Sequence, residues 1–308
     1  MRRLFALLGA IGLVSGAAAN SVQREAPFDF GAPANLGAVI NSPGFDGGPS
    51  ISSDGLSLYF TSDRSGGSGG GDLWAASRAR PTDPFGAPQN LGPGVNSPAN
   101  EFAPSIAADG RSLYFDSDRP GSLGASDIWV ATRATSGERF GPARNLGAPV
   151  NSSSSDGLPN ISADGRSLYF SSRRATVAGD MDLWVARRDT DAGRFSGGEN
   201  LGPTINSSHY DGEPGISADG RYLFFSSDRP GGSGQRDPWV TARTDRAARF
   251  GPPRNLGSLV NGPAHDVRPS ISADGSTLFF MSDRPGGSGQ IDLWQASNRA
   301  ATRPANRP

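Results

Sequence analysis

Apolar residues in this chain come in short bursts separated by turn formers, and the bursts recur at one fixed interval. The phrases ISSDGLSLYF, IAADGRSLYF, ISADGRSLYF, ISADGRYLFF and ISADGSTLFF start at Ile51, Ile106, Ile161, Ile216 and Ile271, always 55 residues apart. Trp74, Trp129, Trp184, Trp239 and Trp294 keep the same step, as do Asp72, Asp127, Asp182, Asp237 and Asp292. Asn-Leu-Gly returns at Asn35, Asn90, Asn145, Asn200 and Asn255. Within the second unit, Ser105-Ile106-Ala107 predicts a short strand. Ala108-Asp109-Gly110 predicts a turn, since Asp-Gly takes left-handed geometry at little cost. Ser112 to Phe115 predicts a second strand, Asp127 to Ala131 a third and Phe140 to Leu146 a fourth. A Gly-rich loop, Asp118 to Ser126, joins the second to the third. The helical period of about 3.6 residues is missing from the unit.

Four short strands per unit, repeated five times, predict an all-β chain: a five-bladed β-propeller with four antiparallel strands per blade. Phe30 to Gly37 is a fourth-strand phrase placed before the first repeat, and none follows Trp294. The N-terminal strand is therefore expected to complete the last blade. Pairing it with the strand around Trp294 closes the ring and removes the exposed sheet edges. An open β-solenoid is the alternative, and a 55-residue unit is long for one coil. The repeated Trp and Phe residues are expected in the core, because blades pack face to face.

Composition narrows the chemistry. The 308 residues include 43 Gly and 25 Pro, with 35% hydrophobic and 19% charged residues. That is a turn-rich chain, unlike a helical bundle. The formal charge of −1 gives no basic footprint for nucleic acid. Cys is absent, which excludes disulfides, thiol catalysis and thiolate metal sites. Lys is absent as well, which excludes Schiff-base chemistry. His209 and His265 are the two His residues, too few for a three-His zinc site.

Met1-Arg2-Arg3, the apolar run Leu4 to Val14 and Ala17-Ala18-Ala19 read as a signal peptide over residues 1–19, cut before Asn20. An uncleaved N-terminal anchor is the alternative, and Sec and twin-Arg export both stay open. Residues 20–27 are expected as a linker, 28–299 as the propeller and 300–308 as a flexible tail. After cleavage the chain is expected to be a monomer in the periplasm or outside the cell, not an integral membrane protein.

The phrases Pro-x-Ile-Ser-x-Asp-Gly, Ser-Asp-Arg-Pro-Gly-Gly and Asp-Leu-Trp resemble the TolB-type, or WD40-like, β-propeller repeat across residues 28–299. The Trp-Asp dipeptide of true WD40 repeats does not occur, and no extra domain is expected between the signal and the first strand. The resemblance implies an exported propeller used as a binding or docking platform. Some similar propellers form parts of peptidases or polysaccharide lyases, so fold alone does not choose a function.

Two loop sets are expected around the channel mouth: the connections between blades, and the Gly-rich loops between second and third strands. An acid precedes each repeat phrase: Asp46, Glu101, Asp156, Asp211 and Asp266. One reading is an acidic mouth that binds Ca2+, another divalent cation, an amine or sugar hydroxyls. The other is that each carboxylate caps its own turn or pairs with an Arg. Asp63-Arg64, Asp118-Arg119, Asp228-Arg229 and Asp283-Arg284 form a second set, broken by Arg173-Arg174 in the third unit. These Arg residues are expected to pair with the third-strand Asp of the same blade, as Arg119 with Asp127, or else to form a ring for polyanions. Gly66 to Gly71 lacks the helix and the Lys of a phosphate loop.

Function is expected where the repeat is broken, at Phe45, Phe102, His209, Tyr210, Glu213, His265 and Arg268. His209 and His265, with Asp211 and Asp266, could form a metal site or a general acid–base pair; exposed loop histidines are the alternative. Pro238 is expected to weaken the third strand of blade four. No cofactor is required by these residues. Two functions follow. One is a non-enzymatic scaffold that binds a protein or glycan of the cell envelope at the channel mouth. The other is a small hydrolase or lyase for carbohydrates or esters, with or without a divalent metal. The Gly-x-Ser-x-Gly elbow of serine hydrolases would need a strand–helix turn, which this pattern does not predict.

Overall fold

A computed structural model describes residues 28–174, 180–190 and 192–302. The expected signal peptide and linker, and residues 303–308 of the expected tail, lie outside the described residues. Among the described residues, twenty strands form five four-stranded antiparallel sheets around one axis. Blade one orders Asp46–Ile51, Ser57–Ser62, Asp72–Ser77 and Gln89–Asn90 from the axis outward. The next three blades repeat that order. Blade five takes Asp266–Ile271, Thr277–Ser282 and Asp292–Ser297 from the far end of the chain and Ala34–Asn35 from the near end. Ala34 pairs with Gln295 and Asn35 with Trp294, and Phe30 bridges Asn298. The ring closes with the strand that the repeat register singled out.

The core lies between blades, which is why the middle strands are apolar on both faces. Tyr59 and Leu73 of blade one pack with Ile106, Leu113, Phe115 and Trp129 of blade two. Four of the repeated Trp residues are buried, and Trp184 is partly so.

The inner strands depart from the sequence expectation. In blade two the strand is Glu101–Ile106, so residues expected in a mouth loop belong to the sheet. Each inner strand carries a bulge, where the register with its neighbour shifts. The bulge residues Gly48, Ala103, Leu158, Glu213 and Arg268 have φ of 63°, 63°, 55°, 60° and 62°. A Pro follows each, at the one kind of site in a sheet where a missing N–H is tolerated. The outer strands are shorter than expected, only Arg144–Asn145 in blade two.

Pro238 does not shorten its strand, which runs Asp237–Ala242 like its counterparts. At this position the N–H of the other blades leaves the ladder and meets an Asn: Leu73 N donates to Asn96 Oδ1 at 2.8 Å. A Pro therefore fits without breaking the sheet. What is lost is the clasp, and Asn261 Oδ1 is buried with no hydrogen-bond partner. At the C-terminal end, order extends past the last strand into a single turn, Arg299–Thr302, held by Asn298 Oδ1 and by an Arg299–Asp29 ion pair of 2.6 Å.

Candidate functional site on the propeller axis

The five repeated acids are each fully buried and each paired with an Arg of its own blade. Arg64 meets Asp46 at 2.5 Å, Arg119 meets Glu101 at 2.8 Å and Arg174 meets Asp156 at 2.6 Å; Arg229–Asp211 and Arg284–Asp266 are the same pair. The expected Arg119–Asp127 pair is not formed. Asp127 instead accepts the N–H groups of Leu123 and Gly124 and the amide of Asn145. The hairpin explains the choice: it lays the end of the second strand beside the start of the first, as Glu101↔Ser117 pairing shows. Each Arg also lies over two rings, Arg119 at 5.2 Å from Phe115 and 5.0 Å from Trp129. The repeated Trp is thus part of a cation–π cradle. Arg174 keeps the clasp in blade three.

The Asp before each clasp Arg has another task. Asp63, Asp118, Asp228 and Asp283 accept the backbone N–H of Phe45, Asn100, Tyr210 and His265, each at 2.8 Å. These bonds tie the inter-blade loops to the Gly-rich loops. His209 Nδ1 lies 3.6 Å from Asp228 Oδ1 rather than against Asp211. Asp211 and Asp266 are occupied by Arg229 and Arg284 and by backbone N–H groups of their own turns. Among the described residues, no group of three or more His, Asp and Glu side chains is placed to hold a metal ion.

What the structure gathers on the axis is a different set. The bulge positions Gly48, Ala103, Leu158, Glu213 and Arg268 surround it. A Cβ built on Gly48 would stand 3.2 Å from Arg268 Nε and 3.4 Å from Ala103 Cα, so three blades meet there. Each bulge N–H is taken by the second strand of the preceding blade. Ala103 N donates to Thr61 Oγ1 at 3.1 Å, Leu158 N to Asp116 Oδ1 at 3.0 Å, and Glu213 N and Arg268 N to Ser171 Oγ and Ser226 Oγ at 2.9 Å. At the bulge positions, blades four and five thus bring charge where blades one to three are small or apolar, and blade two adds Asp116 from its second strand.

Asp116, Tyr210, Glu213 and Arg268 are 8%, 7%, 6% and 7% exposed. Glu213 Oε2 and Arg268 Nε and Nη1 are buried with no hydrogen-bond partner among the described residues. Burial pushes the Asp116 carboxyl up to about 6, against the opposing pull of Arg268 and the Leu158 N–H. Burial also lowers Arg268, while Glu213 and Asp116 raise it. The Tyr210 phenol is pushed well up by burial and then by Glu213. Arg236 covers the Tyr210 ring at 3.7 Å from its centroid. One guanidinium therefore faces two carboxyl groups in a nearly dry setting.

Tyr210, Glu213 and Arg268 were visible in the sequence as breaks in the repeat. Asp116 was not, because it ends an aromatic strand phrase. Its signal is there in the column Thr61, Asp116, Ser171, Ser226 and Met281. At the opposite end of the axis, Ser50, Ser105, Asn160, Ser270 and their Ile neighbours line an opening of about 70 Å3. Ser50, Ser105 and Asn160 already accept the N–H groups of Ile106, Ile161 and Ile216.

No family model and no curated protein matches this sequence. Solved structures do share its fold. TolB from Acinetobacter baumannii superposes with a TM-score of 0.53 at 16% identity, over 85% of this chain and 56% of that one. A putative TolB from Agrobacterium tumefaciens gives 0.51 at 19% identity, over 88% and 92%. An α-L-arabinofuranosidase from Lactobacillus brevis gives 0.53 at 11% identity, over 86% and 92%. The chain is thus a five-bladed propeller of the TolB type in fold, spanning just over half of the A. baumannii protein. At these identities the likeness is one of fold alone.

Proposed function

We propose that this chain is an exported, non-catalytic binding propeller of the cell envelope, which takes its partner at the loop-bearing mouth of the axis. The observation that carries this is the commitment of the carboxylates. Five are locked in Arg clasps, and the two near the axis, Asp116 and Glu213, are 8% exposed or less. A glycosidase needs a carboxyl pair about 5–10 Å apart with open access for the sugar between them. The residues that break the repeat, by contrast, collect around the mouth: Phe45 and Phe102 edge to face at 6.2 Å on one side, Tyr210 under Arg236 on the other. No helix among the described residues is long and apolar enough to cross a membrane.

The test is photo-crosslinking from position 102 or 209 in envelope fractions. A defined partner that is crosslinked from these mouth positions and lost in Phe102→Asp supports the reading. Equal crosslinking from an outer-strand position such as Arg144 would overturn it.

A second reading has one observation in its favour. Asp116, with its carboxyl pushed up to about 6, is poised as a general acid, and Glu213 is the second carboxyl group on the axis. Hydrolysis of aryl arabinosides or xylosides that is abolished in both Asp116→Asn and Glu213→Gln would establish a hydrolase instead.

A further inference from the structure

We propose that the axial site captures an ammonium group carried beside a carbonyl, the chemistry of a peptide N-terminus. This rests on the binding reading above and names what the axial mouth takes.

The argument is one of unmet bonds and unmet charge. Glu213 Oε2 needs a donor, and Arg268 Nε and Nη1 need acceptors, all three being buried without partners among the described residues. Both side chains are more than nine-tenths buried, at 6% and 7% exposure. Leaving a buried polar group unpaired costs about 1–3 kcal/mol, and more for a charged one. One cation against two carboxyl groups also leaves a negative surplus once Asp116 is ionised. A carboxylate ligand would satisfy Arg268 but add to that surplus. A neutral amide would bring donor and acceptor but no charge. An ammonium next to a carbonyl supplies all three: N–H donors for Glu213, positive charge for Glu213 and Asp116, and an oxygen for Arg268.

The surroundings fit a chain end. Gly48, Ala103 and Leu158 keep the remaining bulge positions small or apolar, and Arg236 lies over the Tyr210 ring. Gly212 has no side chain where a Cβ would stand 2.7 Å from the Tyr210 hydroxyl, and the ring is pinned there by Arg236. Phe45 holds the same repeat position in blade one, one residue before the clasp acid. The two rings flank the mouth, where the first side chains of an entering peptide would lie.

Titration calorimetry and thermal unfolding of the full chain at about pH 7.5, where Asp116 is charged, test this with three small probes. Glycinamide carries the ammonium and the carbonyl, N-acetylglycinamide lacks the ammonium, and acetate is an anion only. Glycinamide is expected to bind and to raise the unfolding midpoint, with the acetylated probe at least about tenfold weaker and acetate without effect. Glu213→Gln should weaken glycinamide by about tenfold or more, while Arg144→Ser, on an exposed outer strand, leaves it unchanged. No response to glycinamide at about 50 mM, or equal binding of the acetylated probe, overturns the proposal. The wild-type comparison needs no variant to fold. Crosslinking at the mouth without glycinamide binding would retire the ligand chemistry and leave the binding reading standing; glycinamide binding without a mouth partner would do the reverse.

Discussion

Asp116 on the second strand of blade two accepts the backbone N–H of Leu158 on the inner strand of blade three, at 3.0 Å. Thr61, Ser171 and Ser226 do the same job elsewhere with a neutral hydroxyl. Only the blade-two seam, among the described residues, does it with a carboxyl group.

That difference has a pH signature. Burial raises the Asp116 carboxyl from 3.8 to about 6 on folding. The folded chain therefore holds this proton more tightly than the unfolded chain. The stability it contributes is full below about pH 4 and is lost as the pH rises through about 6. Asp116→Asn keeps the acceptor for Leu158 without the charge. It should raise stability on the order of 2–3 kcal/mol at about pH 7.5 and leave it unchanged near pH 4. Urea titrations at both pH values check this, and an equal effect at both would refute it.

A second seam is short of one bond. Asn96 clasps the third strand of blade one through both Leu73 N and Leu73 O, at 2.8 and 3.0 Å. On the third strand of blade four Asn261 reaches only Pro238 O, at 3.2 Å, and its Oδ1 is left unpaired. Pro238→Leu restores the donor but frees the unfolded chain, a loss of about 0.4–1 kcal/mol. The buried Asn oxygen is worth about 1–3 kcal/mol. The net expectation is a gain of roughly 1 kcal/mol, read as a higher urea midpoint at unchanged slope. In an Asn261→Ala background the gain should vanish.

Removing one member of a clasp should be far more costly. Arg119→Ala leaves the Glu101 carboxyl, fully buried, with Ser97 and Ser117 but no counter-charge. Breaking a buried pair in this way costs about 3–5 kcal/mol. A loss below about 1 kcal/mol in chemical denaturation would place the pair among surface ion pairs instead.

These cases show what was legible in the sequence. The 55-residue period, the strand phrases and the closing strand at Ala34–Asn35 followed from repetition, because each depends on local pattern. Partner choice did not. Arg119 is eight residues from Asp127 and eighteen from Glu101, and the hairpin puts the more distant acid beside it. The bulges were hidden for a similar reason: Ala103 and Leu158 are not residues that announce a positive φ. Glu213 and Arg268 stood out as departures from their repeat column, but only the ring shows that their columns meet on the axis.

The commitment of the acids also bears on metals. Asp211 and Asp266 are engaged by Arg229, Arg284 and backbone N–H groups, and His209 turns to Asp228. Chelator, or Ca2+, Mn2+ or Zn2+ at about 1 mM, should therefore leave the unfolding midpoint within about 1 °C. A larger rise that disappears in His209→Ala/His265→Ala would show a metal site at the mouth, and one that disappears in Asp211→Asn/Asp266→Asn would show a calcium site in the clasps.

The Gly-rich loops give the sharpest contrast between two glycines of one blade. A Cβ on Gly124 would stand 1.7 Å from the carbonyl oxygen of Ser154, in the inter-blade loop that leads into blade three. Gly69, Gly234 and Gly289 meet backbone oxygens of their neighbours at 1.8, 2.1 and 2.2 Å in the same way. These loops close over each other only because a side chain is absent, so Gly124→Ala must pry one blade from the next. Overpacking of this kind costs about 1–3 kcal/mol, with little room for relief because the obstacle is backbone. Gly137, in the outer loop of the same blade, has nothing within 4 Å of a built Cβ and no positive φ. There the substitution restricts only the unfolded chain, and Gly137→Ala should be neutral or stabilising by up to about 1 kcal/mol. Opposite signs for the two variants in one denaturation series would identify the loop-over-loop seam as the feature that demands glycine. Equal destabilisation would instead point to a general need for backbone freedom in blade two.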